Sequence, residues 1–269
     1  MQPTSKFFYF LQAASPTVPV PLSVPSASLS SPLPPESVPV AIASSSIVPT
    51  RSGLFLSQHK YVRDLLASTN MSGAKDVSTP LSTSTSLQLV DGTAPVDSSN
   101  FRRVIGSLQY LSLTGPDISF AVNKLSQFMH KPTTTHWTTT KRLLRYLKQT
   151  IFHGIQLSKS GLPALTTYSD ADWDGQYDDR TSTSAYISFL GSNPISWSSK
   201  KQRAVARSTI EAEYRALANT ASETMWLVAL FYELGFPLKT PLVLLCDNLG
   251  ATHLSFNPVQ HSAHEAHSN

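Results

Sequence analysis

Three short runs of alternating apolar residues, at 164–170, 185–190 and 195–198, precede one long helical stretch over 209–234 that ends at Gly235 and Pro237. A strongly apolar run at 242–247 follows, then a short helical stretch at 249–256. This order constrains the fold more than any other feature. Strands that follow one another directly tend to pair as neighbours, and a long helix set before the next strand has to bury one side against a sheet. The pattern predicts a mixed α/β domain.

Upstream, 51–160 reads as mainly helical. Residues 53–56 suit a short strand, and Tyr61, Leu65 and Leu66 share one face of a short helix. Residues 72–96, rich in Ser, Thr, Pro and Gly, read as a long loop. Asp97 suits the cap of a helix with the apolar face Phe101, Val104, Ile105, Leu108 and Leu111. Pro116 suits the first turn of the next helix, where Asp117 meets its positive end and Ile118, Val122, Leu125 and Met129 form the inward face. A third helix from about residue 134 is expected to bury Trp137, Leu144 and Leu147, with Lys141, Arg145 and Lys148 along its other side.

The first fifty residues hold 10 of the 19 prolines, 11 serines and no glycine, and are expected to be disordered. The apolar run at 7–14 behind Lys6 looks like the core of a signal peptide, but a Pro/Ser-rich stretch follows it, so the match is read as chance. The single cysteine, Cys246, excludes an internal disulfide, and no apolar run is long enough to span a membrane. With neither a signal peptide nor a membrane span, the cytoplasm or nucleus is the expected location. Charge is uneven. Residues 51–160 carry 13 Lys+Arg against 5 Asp+Glu, net +8, and residues 161–269 carry 7 against 11, net −4. A basic part beside an acidic one suits a protein that grips a phosphate backbone and offers carboxylates to metal ions.

Three carboxylates stand at the ends of the predicted elements. Asp170 closes the first strand of the acidic half, with Asp172 as a possible supporter and Asp174, Asp178 and Asp179 as solvated loop charges. On the long helix, Ser208 and Glu211 match a capping box in which Glu211 reaches back to the Ser208 backbone, and Glu211 also stands four before Arg215. Glu213 falls on the face of Ile210 and Leu217, expected to look inward, and an inward carboxylate needs a metal or a buried partner. Asp247 ends the 242–246 run, read as a strand buried on both faces; taken alone it suits the N-cap of the following helix. Together, Asp170, Glu213 and Asp247 read as a metal-binding set. Two like charges about 4 Å apart repel by roughly 4 kcal/mol at an effective dielectric near 20, and two divalent cations roughly 3.5–4 Å apart would offset this.

These residues resemble the RNase H domain of copia-type LTR-retrotransposon Pol polyproteins. The likeness lies in Tyr168-Ser169-Asp170-Ala171-Asp172-Trp173, Asp178-Asp179-Arg180, Ile195-Ser196-Trp197-Ser198-Ser199-Lys200-Lys201-Gln202, Glu211-Ala212-Glu213-Tyr214-Arg215, Cys246-Asp247-Asn248 and Asn257-Pro258-Val259. Upstream, Gly53-Leu54-Phe55-Leu56-Ser57-Gln58, Val77-Ser78-Thr79-Pro80, Pro116-Asp117-Ile118-Ser119-Phe120-Ala121-Val122 and Leu143-Leu144-Arg145-Tyr146-Leu147-Lys148 are similar to the segment between the polymerase palm and RNase H. Beyond the segment at 1–50, expected to be disordered from its composition, the resemblance implies two parts: a thumb/connection-like end of a reverse transcriptase at 51–160, and an RNase H-like mixed sheet with helices at 161–269. It implies Asp170, Glu213 and Asp247 as catalytic ligands of two Mg²⁺ ions, and an RNA–DNA hybrid and the remaining Pol segments as partners. Lys141, Arg145 and Lys148 are the expected nucleic-acid contacts.

The departures also carry expectations. Ala185 stands for a usual Gly and Gly115 for a usual basic residue. The palm with its paired aspartates has no counterpart, so polymerase activity is not expected. After Pro258-Val259 the chain reads Gln260-His261-Ser262-Ala263-His264-Glu265-Ala266-His267, without the family's final Asp and helix, so the domain is expected to be truncated and impaired. Two readings result: a ribonuclease H, or an inactive remnant that at most binds nucleic acid. His261, His264 and His267 read as a polar tail, and the four tryptophans as core residues, with Trp173 beside the acidic site the one to test.

Overall fold

The computed structural model describes residues 46–82, 86–159, 163–175 and 177–256. The expectations for residues 1–45, for the signal-like run at 7–14, for the Asn257-Pro258-Val259 match and for the histidine tail lie outside these residues. Among the described residues, two sheets and six α-helices make a mixed α/β architecture. The first sheet is antiparallel, in the order β1 (Ser46–Thr50), β2 (Gly53–Ser57), β3 (Gly154–Ser158). Two of these strands correct the sequence reading: β1 falls inside the segment expected to be disordered, and β3 was not foreseen. Proline fits β1 because an edge strand leaves half its backbone groups unpaired, and β1 pairs with β2 alone. Gly53 opens β2 where a Cβ would lie 1.8 Å from the Leu157 carbonyl oxygen, so the close β2–β3 pairing requires glycine there.

Four helices and a 3₁₀ turn follow: α1 (His59–Ser68), α2 (Ser98–Leu111), the turn at Pro116–Ile118, α3 (Ser119–Ser126) and α4 (Thr134–Gln149). The Asp97 side chain accepts from the Ser99 N–H and starts α2, and all five apolar residues read as its inner face are buried. On α1 the buried set is Val62, Leu65 and Leu66, with Tyr61 packed at its margin. Helix α3 ends at Ser126, so Met129 lies in the turn beyond it. Helix α4 starts where expected, but Trp137 is only half-buried. The residue sealed inside is His136, stacked 4.0 Å from Phe128 and accepting from the Thr133 N–H.

Asp117 does more than face a helix end. It accepts a 2.7 Å hydrogen bond from the Tyr146 hydroxyl, tying the 3₁₀ turn to α4. Burial pushes its carboxyl above the usual range. Tyr146→Phe is therefore expected to cost about 1–3 kcal/mol in a denaturant titration, because the carboxyl loses its donor in a dry site.

The second sheet contains β4 (Leu165–Asp172), β5 (Thr183–Leu190), β6 (Asn193–Lys201) and β7 (Val243–Cys246). Their order is β6-β5-β4-β7, antiparallel except for the parallel β4–β7 pair. Helix α5 (Thr209–Glu233) packs on β4 and β5, and α6 (Leu249–Phe256) packs on α5. Three expectations are corrected. First, β7 is an edge strand rather than a doubly buried one, and residues 242–245 are 36–43% exposed. Second, the inward face of α5 is Ala212, Glu213, Ala216, Thr220, Thr224 and Leu227; Ile210 is exposed and lies against Gly250 of α6. Third, Trp226 is 58% exposed and is no core residue.

Hydroxyls, beside a little hydrocarbon from Ala212, Ala216 and Leu227, join α5 to the sheet. Thr224 donates to Thr167, Thr167 shares a hydrogen bond with Ser188, and Thr220 donates to Ser169, all buried. Such a network holds register through direction as well as burial. No helix among the described residues is long and apolar enough to cross a membrane.

Candidate metal centre

The parallel β4–β7 pairing runs in register up to Ser169 and Cys246. The next residues are Asp170, still inside β4, and Asp247, the first residue past β7, so the two acidic residues stand at the same end of this pairing. Helix α5 brings the third group to that end. Ser208 caps it by accepting from the Glu211 N–H, and the Glu211 carboxylate accepts from the Arg207 N–H rather than from that of Ser208, a shift of one residue from the expected capping box. Arg215 pairs with Glu211 and also donates to the carbonyls of Ala204 and Val205, which fixes the approach to the helix. With Glu211 engaged in this way, the next inward carboxylate is Glu213.

Glu213 is 7% exposed and accepts from the backbone N–H of Ala171 on β4. Burial, and then the negative charges of Asp170 and Asp247, push its carboxyl up to about 8. A dry carboxyl between two others favours the neutral form unless a cation enters. Donor atoms of Glu213, Cys246 and Asp247 lie within 4.8 Å of one another. Asp170 is not one of that group; it acts on Glu213 through charge. The donor set suits a divalent cation, with a carboxyl buried in the middle and further acidic groups around it.

The neighbouring residues are sorted by their contacts. Asn248, not Asp247, caps α6, since its side chain accepts from the Ala251 N–H. That removes the structural use read for Asp247 alone. Strand β4 continues through Asp172, but the charges facing Asp172 are those of Lys124 and Asp174, and its carboxyl is pushed up by burial. Asp174 pairs with Arg180 at 2.6 Å, Asp178 accepts from the Leu89 N–H, and Asp179 holds Lys201. Trp173 donates its indole N–H to the Ala206 carbonyl, which leaves its half-exposed ring beside the acidic end of the sheet. The sequence pattern did not single out Cys246, whose sulfur lies beside Glu213; its place directly before Asp247 was the available signal.

Lys141, Arg145 and Lys148 lie on α4, not on the elements that carry this centre. Arg145 donates to the Lys75 carbonyl, Lys148 donates to the Ala74 carbonyl and pairs with Asp76 at 3.2 Å, and Lys141 sits 5.8 Å from the Trp137 ring centre. Two of the three cations thus hold the 72–96 loop.

Comparison with known proteins gives consistent relatives. The chain is 56% identical over 210 residues, 78% of its length, to the retrovirus-related Pol polyprotein from transposon RE2 of Arabidopsis thaliana. It is 56% identical over 215 residues, 80% of its length, to that from transposon RE1 of the same plant. These matches span 14% of each polyprotein, so the chain corresponds to a small part of them. It is also 47% identical over 175 residues to the uncharacterized mitochondrial protein AtMg00810 of Arabidopsis thaliana, covering 65% of this chain and 72% of that protein. No family model matches, and no solved structure matches.

Proposed function

The chain belongs to the retrovirus-related Pol polyproteins of copia-type transposons, and from that premise we propose that residues 161–269 form an RNase H-like domain that hydrolyses the RNA strand of an RNA–DNA hybrid. Residues 51–160 would be the thumb/connection-like end of the polymerase part, and the remaining Pol segments its partners. The observation that carries this reading is the buried Glu213 carboxyl set between the charges of Asp170 and Asp247.

Asp170, Glu213 and Asp247 would hold Mg²⁺, which supplies an activated water and stabilises the leaving oxygen. The protein's own part is positional. The β4–β5 pairing holds the backbone of Asp170, the β4–β7 ladder holds the chain up to the residue before Asp247, and α5 holds Glu213 through its cap and its hydroxyl network. Trp173, held by its indole hydrogen bond, offers a flat face beside the site on which a base can stack. Arg145 and Lys148 would contact a phosphate backbone only by sharing or leaving the loop carbonyls they hold.

The test is cleavage of an end-labelled RNA–DNA hybrid. Cleavage is expected with Mg²⁺, and none with chelator or in Asp170→Asn. Cleavage that survives this substitution, or its absence in the unaltered chain, would overturn the proposal. Salt-sensitive hybrid binding without turnover would instead support a binding-only role.

A further inference from the structure

The carboxylate centre contains one soft donor. The Cys246 Sγ lies 3.9 Å from a Glu213 carboxylate oxygen, and the thiol, Glu213 and Asp247 form the one group of three close metal-ligand side chains among the described residues. We propose that Cys246 selects the cation at this centre, so that it takes thiophilic divalent ions such as Zn²⁺ or Cd²⁺ in competition with Mg²⁺. The inference rests on reading these carboxylates as a metal centre.

Three features support it. Cys246 is the last residue of β7, in register with Ser169 of β4, so its backbone is held and the sulfur has a fixed direction. Its Sγ is turned toward α5, where Glu213 is buried, and is half-buried itself. Strand β7 ends there, and the turn that follows allows Asp247 to share the same space although it is the adjacent residue.

Mg²⁺ takes oxygen ligands and gains nothing from sulfur, whereas Zn²⁺ and Cd²⁺ bind thiolate strongly. A carboxylate–thiolate–carboxylate set offers three protein donors, the number found in open zinc sites. As the metal–sulfur bond forms, the S–H bond breaks and its proton passes to solvent, with no change in oxidation state. A soft ion bound in this way would occupy oxygens that Mg²⁺ needs and would inhibit the hydrolysis.

The full chain, stripped of metal by chelation, is titrated with Cd²⁺ while the ultraviolet charge-transfer band of a cadmium–thiolate bond is recorded. Because the chain has one cysteine, the band reports Cys246 alone. A band saturating near a single equivalent is expected. Excess Mg²⁺ should move its midpoint to higher Cd²⁺, and Glu213→Gln and Asp247→Asn should each weaken it at least about tenfold. Cys246→Ser should abolish it while far-ultraviolet dichroism stays unchanged. A missing band, or one indifferent to Mg²⁺ and to both carboxylate substitutions, would overturn the proposal, since an isolated thiol would then be binding alone. The Mg²⁺ competition uses the unaltered chain and does not depend on a variant folding. Loss of hybrid cleavage with the competing band intact would refute the nuclease reading and leave this one standing.

Discussion

Glu213→Gln is expected to lower Mg²⁺-dependent hybrid cleavage by about 10³-fold, which is ~4 kcal/mol of barrier, and at the same time to stabilise the metal-free chain. The two effects share one cause. In the folded chain, burial and the charges of Asp170 and Asp247 hold the Glu213 carboxyl near 8, against 4.5 for an ordinary glutamate. Below 4.5 both folded and unfolded chains hold the proton, and the contribution to stability does not change with pH. Between 4.5 and 8 the unfolded chain releases the proton and the folded chain keeps it, so stability falls as pH rises. Above about 8 the loss is complete and levels off. The full difference is on the order of 5 kcal/mol, and glutamine, which carries no charge, is expected to recover about 2–4 kcal/mol at pH 8 and almost nothing at pH 4.5. Thermal melts in chelator at the two pH values measure this. A variant no more stable than the unaltered chain at pH 8 would show that Glu213 is not held neutral by its neighbours. A cation changes the comparison, because it favours the ionised carboxylate; added Mg²⁺ should stabilise the unaltered chain at pH 8 and leave Glu213→Gln nearly unmoved. That pair of outcomes would mark the centre as one organised around a bound cation.

The local elements were readable because local chemistry sets them. Asp97 followed by Phe101, Val104, Ile105, Leu108 and Leu111 can satisfy its apolar spacing only as a capped helix, and α2 has that cap and that face. Helix α5 is bounded by Ser208 and by the Gly235-Phe236-Pro237 stop, both visible in the letters. What failed depended on partners distant in the chain. The apolar run ending in Cys246 suggests a doubly buried strand, but burial is decided by sheet order, and β7 pairs with β4 alone. Strand β1 was hidden because a Pro/Ser-rich context masks a strand whose partner, β2, lies just past a short turn. The inward face of α5 was misread because its buried residues Ala212, Thr220 and Thr224 are small or polar; a hydrophobic period does not detect a hydroxyl interface. The convergence of β4, α5 and β7 was legible as a pattern of acidic residues at element ends. The closeness of the Cys246 thiol to Glu213 was harder to read, since one cysteine in an apolar run looks like an ordinary core residue even directly before Asp247.

Phe101→Ala is expected to cost about 3–5 kcal/mol, and its effect should spread beyond the helices. Phe101 is fully buried in the core shared by α1, α2, α3 and α4, with its ring 6.4 Å from that of Trp137. The second sheet has much less hydrocarbon of its own: Ala185 and Ile187 form its buried cluster, with Tyr168, Phe189 and Trp197 around them. Several bonds connect this sheet to the helical part. The Trp197 indole donates to the Ser112 carbonyl at the end of α2, and Lys124 of α3 donates to the Gly175 carbonyl. Asn193 exchanges two hydrogen bonds with Ser158 of β3. A sheet with a small apolar core, joined at these points, should draw stability from the larger core beside it. Amide hydrogen exchange separates the possibilities. If the halves unfold together, Phe101→Ala raises exchange in β4 and β5 by as much as in α2 and α4. If only the helical amides respond, the acidic centre stands on a sheet that holds itself, and the hydroxyl network of Thr167, Ser188 and Thr224 must supply what the apolar residues do not.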